Sequence, residues 1–414
     1  MPSQHTIEET ANSEAILVPL DLDEMHIVGQ EWLANGTIRV EVMATTTRAT
    51  CPHCQKRCVK IHDTRPRTKR DIALGGHPVE LIVLKRRFRC LHCRKSFTEP
   101  DTACGWRRKT TKRLREEIGK QACTQPVAHV AKATGVGPRF VEECFQSVAV
   151  HALERKGLSL DEHQPLHTPH FLGIDEFARR KGHRYDTILC DLEARQVLEV
   201  SAGRKQEEVV ALLERLNDPD AVKAVSMDMS ASYRPAVQLC LPKAQIVVDH
   251  FHVIQHVMKG FKKVLQSWAH KKEGKPLLEG KQSLFLRAPE DLTEEQAHER
   301  TRIGEHLPLL EMAWLLKEEI RAWYATATLT TAAKKLDAWI EKVQLHGPDP
   351  LRKTLSAFKN WRQQILAFFQ FLPTRISNGF VQGKNNRTKA LMRQGYGYRN
   401  RQHLRLRILL EHVA

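Results

Sequence analysis

The chain has 414 residues, 41% of them hydrophobic, and its 65 Lys and Arg against 48 Asp and Glu give a formal net charge of +17. At about 100–200 residues per domain, that length accommodates two to four domains, each able to bury its own core. No apolar run approaches the roughly 18 residues of a membrane-spanning helix, and the acidic start (Glu8, Glu9, Glu14) lacks the positive-then-apolar order of a signal peptide. A cytoplasmic protein without a membrane partner is expected. Ten cysteines are too sparse for a disulfide scaffold in a chain this long, and in a reducing compartment paired cysteines point to metal.

The charge is concentrated. Residues 1–50, an N-terminal β-rich segment, hold 2 basic and 8 acidic side chains; residues 51–120 hold 20 and 7; residues 351–414 hold 13 and 1. The stretch between the two basic zones is close to neutral. Both zones interleave Arg with aromatics (Phe88, Phe97, Trp106; Tyr396, Tyr398), which favours a nucleic-acid partner over an anionic membrane.

In residues 51–107, Cys51-Pro-His-Cys54 and Cys90-Leu-His-Cys93 form two CxxC pairs separated by 35 residues. Two such knuckles complete a tetrahedral four-thiolate Zn2+ site in which metal binding doubles as folding energy. Cys58, His62, His77 and Cys104 are alternative ligands. Between the knuckles, Gly75-Gly76 splits Ile72–Phe88 as a hairpin turn would. The lead-in Arg86, Arg87 and Arg89 suits phosphate contact.

Residues 108–155 read as a helix over Lys109–Thr124 and then a helix-turn-helix: Val127–Ala133, a turn at 134–137, and a helix in which Pro138 takes the first turn. Arg139 then stands where such helices meet base edges or phosphate.

Residues 168–252 begin with strand-like runs Phe171–Phe177, Tyr185–Leu192 and Gln196–Ala202. Helix Glu207–Leu216, strand Val222–Met227, helix Tyr233–Leu241 and strand Gln245–Val248 follow. Three meandering strands and then alternating helix and strand is the order of an RNase H-like mixed sheet. There strands one and four are neighbours, so Asp175 and Asp228 can converge on divalent ions. Residues 253–372 read as an all-helical insertion with Trp268, Trp314, Trp323, Trp339 and Trp361 in its core. Residues 373–414 return to the sheet with a helix starting near Ser377 or Asn378 and a basic tail bearing Lys384, Arg387, Lys389 and Arg393. The whole is a multidomain α+β architecture: a zinc-ribbon-like module, a helix-turn-helix and an RNase H-like mixed α/β domain.

The two CxxC pairs with RRFRC, and the stretches GIDEFARRKGHRYDTILCDLE, DMSASY, IVVDHFHV and SNGFVQGKNNRTKALMRQGYGYRN, resemble bacterial insertion-sequence transposases of the ISL-three family, from about residue 50 to the end. The resemblance implies an enzyme that binds the terminal inverted repeats of its element as double-stranded DNA. It would cleave and transfer strands with Mg2+ or Mn2+, and would act as a homodimer because two ends must meet. It makes Asp175 and Asp228 the first two catalytic carboxylates and Asp249 and His252 supporting residues of a D-x-x-H element. The third catalytic carboxylate is expected as Glu in SNGxxEG, and this chain has Gln382 there. No nearby acid substitutes, Glu411 being the lone acidic residue of 351–414. A neutral amide is a poorer ligand for a hard cation, so impaired cleavage is expected. A non-catalytic repressor descended from such an enzyme, or a structure-specific nuclease, are the alternatives.

Overall fold

The computed structural model describes residues 20, 22, 24–105, 108–180, 182–371, 378–395, 398 and 400–410. Trp106, Ser377, Tyr396 and Glu411 lie outside them. The chain divides into two compact units, Met1–Ala149 and Val150–Ala414.

The first unit is built on a sheet of strands β1 (Met25–Trp32), β2 (Ile38–Ala44), β5 (Ile61–Leu74) and β6 (His77–Arg89) in the order β1-β2-β6-β5, with β7 (Ser96–Thr98) also paired to β6. Strands β3 (Ala49–Thr50) and β4 (Arg57–Cys58) form a separate small ladder. The long β5–β6 hairpin turns at Gly75 and Gly76, whose φ values of 58° and 85° are those a two-residue turn requires of both central residues. Along β6, Val79, Leu81 and Val83 alternate into a core shared with Ile38, Val40 and Val42 of β2. Because β2 pairs with β6 in parallel, strands on either side of residue 50 belong to one sheet.

Three helices follow: α1 (Lys112–Thr124), α2 (Val127–Thr134) and α3 (Pro138–Arg155). Thr111 caps α1 by accepting from Leu114 N at 3.2 Å. Gly135 ends α2 in the left-handed conformation, and Pro138 opens α3. The helix-turn-helix path expected from the sequence is therefore present. Gly119 lets α1 meet α3 closely; a Cβ there would stand 2.6 Å from Cys144 O.

The second unit carries strands β8 (Phe171–Arg180), β9 (Arg184–Asp191), β10 (Gln196–Ala202), β11 (Ala224–Met227) and β12 (Gln245–Val248) in the order β10-β9-β8-β11-β12. The first three form an antiparallel meander, and β11 runs parallel to both β8 and β12. This is the RNase H-like arrangement expected from the element order. Helices α4 (Gln206–Leu213) and α5 (Tyr233–Cys240) flank it, and α6 (His250–His270) leaves β12 directly.

The helical region continues through α7 (Lys275–Leu278), α8 (Gln282–Leu286), α9 (Glu294–His306), α10 (Pro308–Thr326), α11 (Ala332–His346), α12 (Asp349–Arg352), α13 (Leu355–Asn360) and α14 (Arg362–Leu366). It shares one continuous core with the sheet. Trp314, Trp323, Trp339 and Trp361 are buried in that core, and Trp268 packs at its edge. The indole N–H groups of Trp323 and Trp339 donate to Ala332 O (3.1 Å) and Leu316 O (2.8 Å), which lets these rings be internal. The chain returns with α15 (Gly379–Gln394) and α16 (Arg401–Leu410). No helix among the described residues is long and apolar enough to cross a membrane.

Candidate functional site

Gly173 of β8 pairs in register with Ser226 of β11. Asp175 lies two residues further along β8, and Asp228 is the first residue past the end of β11, so both stand beyond the same end of the β8–β11 ladder. Parallel neighbours run about 4.8 Å apart. Asp175 is 6% exposed. Its carboxyl is pushed up to about 6 by burial, and Glu176 and Asp249 add to the rise. Asp228 is likewise raised to about 6, first by burial and then by the charge of Asp175.

Helix α15 closes the site from one side. It lies tight against β8 because Gly173 has no side chain: a Cβ there would come within 2.6 Å of Val381 Cγ2. Asn378, Gln382 and Asn385 fall on neighbouring turns of its inner face. Asn378 N donates to Asp249 Oδ1 (3.1 Å), and its amide donates to Ile174 O (3.0 Å). Gln382 Nε2 donates to Asp249 Oδ2 (3.0 Å) and lies 3.2 Å from His252 Nε2. Asn385 Nδ2 donates to Asp175 Oδ2 at 2.8 Å, while Glu176 N donates to Asp175 Oδ1 at 2.8 Å. All five residues named from the sequence (Asp175, Asp228, Asp249, His252, Gln382) thus belong to one connected neighbourhood. Asn378 starts α15 as the sequence leads one to expect, whereas its bond to Asp249 and the part of Asn385 are not singled out there; their signal is the spacing 378, 382, 385, three amides on one helix face.

This donor set fits a hard divalent cation. Two buried carboxyls repel each other, Asp228 Oδ1 is buried with no hydrogen-bond partner, and uncompensated oxygens of this kind are what such an ion binds. Among the described residues no three carboxylate or imidazole ligand atoms lie within 4.8 Å of one another here, although Asp249 and Glu176 are near enough to raise the Asp175 carboxyl.

In the first unit, the ligand atoms of Cys51, Cys54, Cys90 and Cys93 all lie within 4.8 Å of one another. The Sγ atoms of Cys51 and Cys93 are 3.7 Å apart, and those of Cys54 and Cys90 are 3.6 Å apart. Gln55 and Arg94, at matching places after each CxxC, have φ of 59° and 62°, and Cys51 N and Cys90 N donate to Lys56 O and Lys95 O. These are two equivalent knuckles. No other such ligand group occurs among the described residues, so the alternatives Cys58, His62, His77 and Cys104 fall away. Phe88 and Phe97 stack at 5.9 Å inside this cluster and are core, not platforms for bases.

The basic residues divide by burial. Arg86, expected to face phosphate, is 6% exposed and gives Nε and Nη2 to Glu99 Oε2 at 3.0 and 2.7 Å. A charge that deep is stable only when paired, so Arg86 serves the interior. Lys384 is also 6% exposed, its Nζ 5.4 Å from the centre of the Phe380 ring. In the C-terminal zone Arg405 is buried against Glu199 (2.5 and 2.7 Å) and Arg401 is paired with Glu162 (2.9 Å). That zone is therefore not a basic surface throughout. Arg87 is half-buried; Arg89, Arg139, Arg387, Lys389 and Arg393 are exposed.

An RNase H-like sheet with one aspartate on β8 and another just past β11, together with a four-thiolate zinc-ribbon cluster, is a combination that DDE-type transposases carry. Residues 172–408 match the family model described as the transposase of the ISL3 DDE type, and residues 47–93 match the zinc finger of the transposases of IS204, IS1001, IS1096 and IS1165. The transposase for IS1001 of Bordetella parapertussis is 29% identical over 384 residues, covering 90% of this chain and 91% of that protein. The transposase for IS1557 of Mycobacterium tuberculosis is 24% identical over 260 residues, covering 56% of this chain and 58% of the relative. The chain belongs to the ISL3 family of insertion-sequence transposases, and its four clustered cysteines fall within the residues that match the family's zinc finger, which supports a structural zinc.

Proposed function

We propose that the protein binds the terminal inverted repeats of its element as double-stranded DNA and catalyses metal-dependent strand cleavage and strand transfer into target DNA. The observation that carries this reading is the pair Asp175, on β8, and Asp228, just past the end of its parallel neighbour β11, both raised to about 6 and one carrying a buried oxygen without a donor. Asp175 and Asp228 would hold the divalent metal, Mg2+ or Mn2+. Such ions, when bound, stabilise charge on the attacking and leaving oxygens of an in-line displacement. Asn385 orients Asp175. Gln382 occupies the third catalytic position, and with Asn378 it fixes Asp249, while His252 supports the same corner. Because an amide brings no charge to the ions, cleavage by this chain is slow.

The zinc module and helix-turn-helix read the DNA ends, with Arg87, Arg89 and Arg139 outward. On α15, Gln382, Lys389 and Arg393 recur at i, i+7 and i+11, one stripe of the helix. At about 1.5 Å per residue the two cations stand about 10 and 16 Å beyond Gln382, suiting phosphates that flank the cut. Arg387 projects from another side. Two chains act together, one per DNA end, in the cytoplasm at the nucleoid.

The test is nicking of end-containing duplex with Mg2+ or Mn2+. Asp175→Ala abolishes it, and Gln382→Glu raises the rate tenfold or more. Equal rates for Gln382 and Glu refute the importance of the missing charge. Cutting without preference for the repeats makes the protein a structure-specific nuclease. One observation favours a second reading, a DNA-binding repressor: the Gln382 amide is already satisfied by Asp249. Repeat-specific binding with no nicking in either form would establish it.

A further inference from the structure

The first unit contains a cleft of about 1230 Å³ between β5, β7 and the segment leading into α1. Of its lining side chains, seven are basic (Arg65, Arg67, Lys69, Lys85, Arg87, Arg108 and Lys109) and two are acidic (Glu99 and Asp101). The floor is neutralised from within. Lys69 and Lys85 lie 3.5 and 3.7 Å from Asp101, and Glu99 is bound to Arg86. The walls are not. Arg67, Arg87, Arg108 and Lys109 have no ion-pair partner among the described residues. Four unpaired cations on one concave surface repel one another and focus a positive potential there. The cleft exceeds the roughly 300–1,000 Å³ of a small-molecule pocket, and its charged lining is mostly basic. The edge strand β5 bears Pro66 within the cleft, which disfavours addition of a partner strand.

The cleft is also fastened to the helix-turn-helix. One residue past Lys69, the Arg70 guanidinium donates to Thr134 O (2.8 Å) and Gly135 O (3.1 Å), the turn before α3. Arg70 N donates to Lys109 O at 2.9 Å, and Thr111 N donates to Arg70 O at 3.0 Å. The buried Asp71 accepts from Thr111 Oγ1 at 2.6 Å and from Arg113 Nε at 2.9 Å. We infer that this cleft grips the sugar–phosphate backbone of duplex DNA at a fixed offset from α3, so that zinc module and helix-turn-helix act as one rigid reader. The inference rests on the DNA-binding reading above and assigns it a surface.

The experiment uses the full-length, zinc-loaded chain and a labelled duplex carrying the element's end, a scrambled duplex of equal length, and the end sequence as duplex RNA. Affinity is followed from 50 to 200 mM salt. Replacing Arg67, Arg87, Arg108 and Lys109 together by Gln removes up to four phosphate contacts. The wild type then loses about a hundredfold more affinity than the variant over that salt range, and the end-to-scrambled ratio is preserved. Arg139→Ala instead lowers that ratio. Replacing the three arginines by Lys keeps the salt slope, and unchanged zinc content shows that the variants fold. An unchanged slope in the Gln variant overturns the cleft assignment alone; equally tight binding of the RNA duplex overturns the duplex-DNA assignment. A wild type that binds neither DNA overturns the DNA-binding reading with it.

Discussion

Asp228→Asn should stabilise the metal-free protein while abolishing its activity. Folding raises the Asp228 carboxyl from 3.8 to about 6, chiefly by burial and then by the charge of Asp175. A carboxyl raised on folding stabilises the fold while protonated. That contribution is complete below pH 3.8 and is lost as the pH rises through about 6. At pH 7.5 the ionised group therefore costs the metal-free fold about 3 kcal/mol, at roughly 1.4 kcal/mol per unit. Relaxation of the coupled Asp175 and the needs of the new amide reduce the recoverable part to about 1–3 kcal/mol, several degrees in the melting midpoint of a unit this size. Thermal unfolding at pH 7.5 and pH 5, with and without Mg2+, reads this directly. The variant melts higher than wild type at pH 7.5 without metal, and the gap narrows at pH 5, where the wild-type carboxyl is largely protonated. Mg2+ raises the wild type at pH 7.5 and leaves the variant nearly unmoved. A variant that melts no higher than wild type, or that responds equally to Mg2+, refutes the view of this pair as an uncompensated cation site.

Three other substitutions probe the neighbouring contacts. Gly173→Ala sets a methyl 2.6 Å from Val381; overpacking of this kind costs about 1–3 kcal/mol, and nicking should fall further than the melting shift explains because α15 carries Gln382 and Asn385. Arg86→Ala strands the buried Glu99 and should destabilise the zinc-bearing unit by about 3–5 kcal/mol, seen in urea unfolding, while the salt slope of DNA binding stays unchanged. Asn385→Ala removes a donor that lowers the Asp175 carboxyl, so the acid limb of the nicking profile should move to higher pH; a loss of rate with no shift of that limb would contradict the positioning role.

What the sequence made legible was whatever local spacing encodes. Two CxxC pairs specify two knuckles because each is closed by its own backbone, with Gln55 and Arg94 taking the left-handed turn. Gly75-Gly76 specifies the hairpin, and the apolar runs of β8 to β12, interrupted by α4 and α5, specify the strand order. The partners of charged residues were not legible, because they come from far along the chain. Arg405 meets Glu199 across 206 positions, and Asn385 meets Asp175 across 210. In sequence Arg86 and Arg87 are equivalent; the pleat of β6 turns the first toward Glu99 and lets the second line the basic cleft.

That division changes what the net charge means. The basic excess of residues 351–414 looked like one surface, but Arg405 and Arg407 are each only 2% exposed. Arg401 and Arg405 answer Glu162 and Glu199, so α16 is electrostatically a strut on β10. The excess of residues 51–120 is different in kind. Of its acids, Glu99, Asp101 and Asp71 bond inward to Arg86, Lys69, Lys85 and Arg113 and Asp63 pairs with Arg65, which leaves Arg67, Arg87, Arg108 and Lys109 of the cleft without an ion-pair partner among the described residues. Acids bonded to the floor cations hold the strands that carry the wall without neutralising the wall itself. The proposed catalytic corner has the opposite sign: Asp175 and Asp228 have no ion-pair partner among the described residues, and Asp228 Oδ1 is buried without a donor. A nucleic-acid backbone and the metal that would cut it thus each meet a surface of complementary charge, built in separate units of the chain.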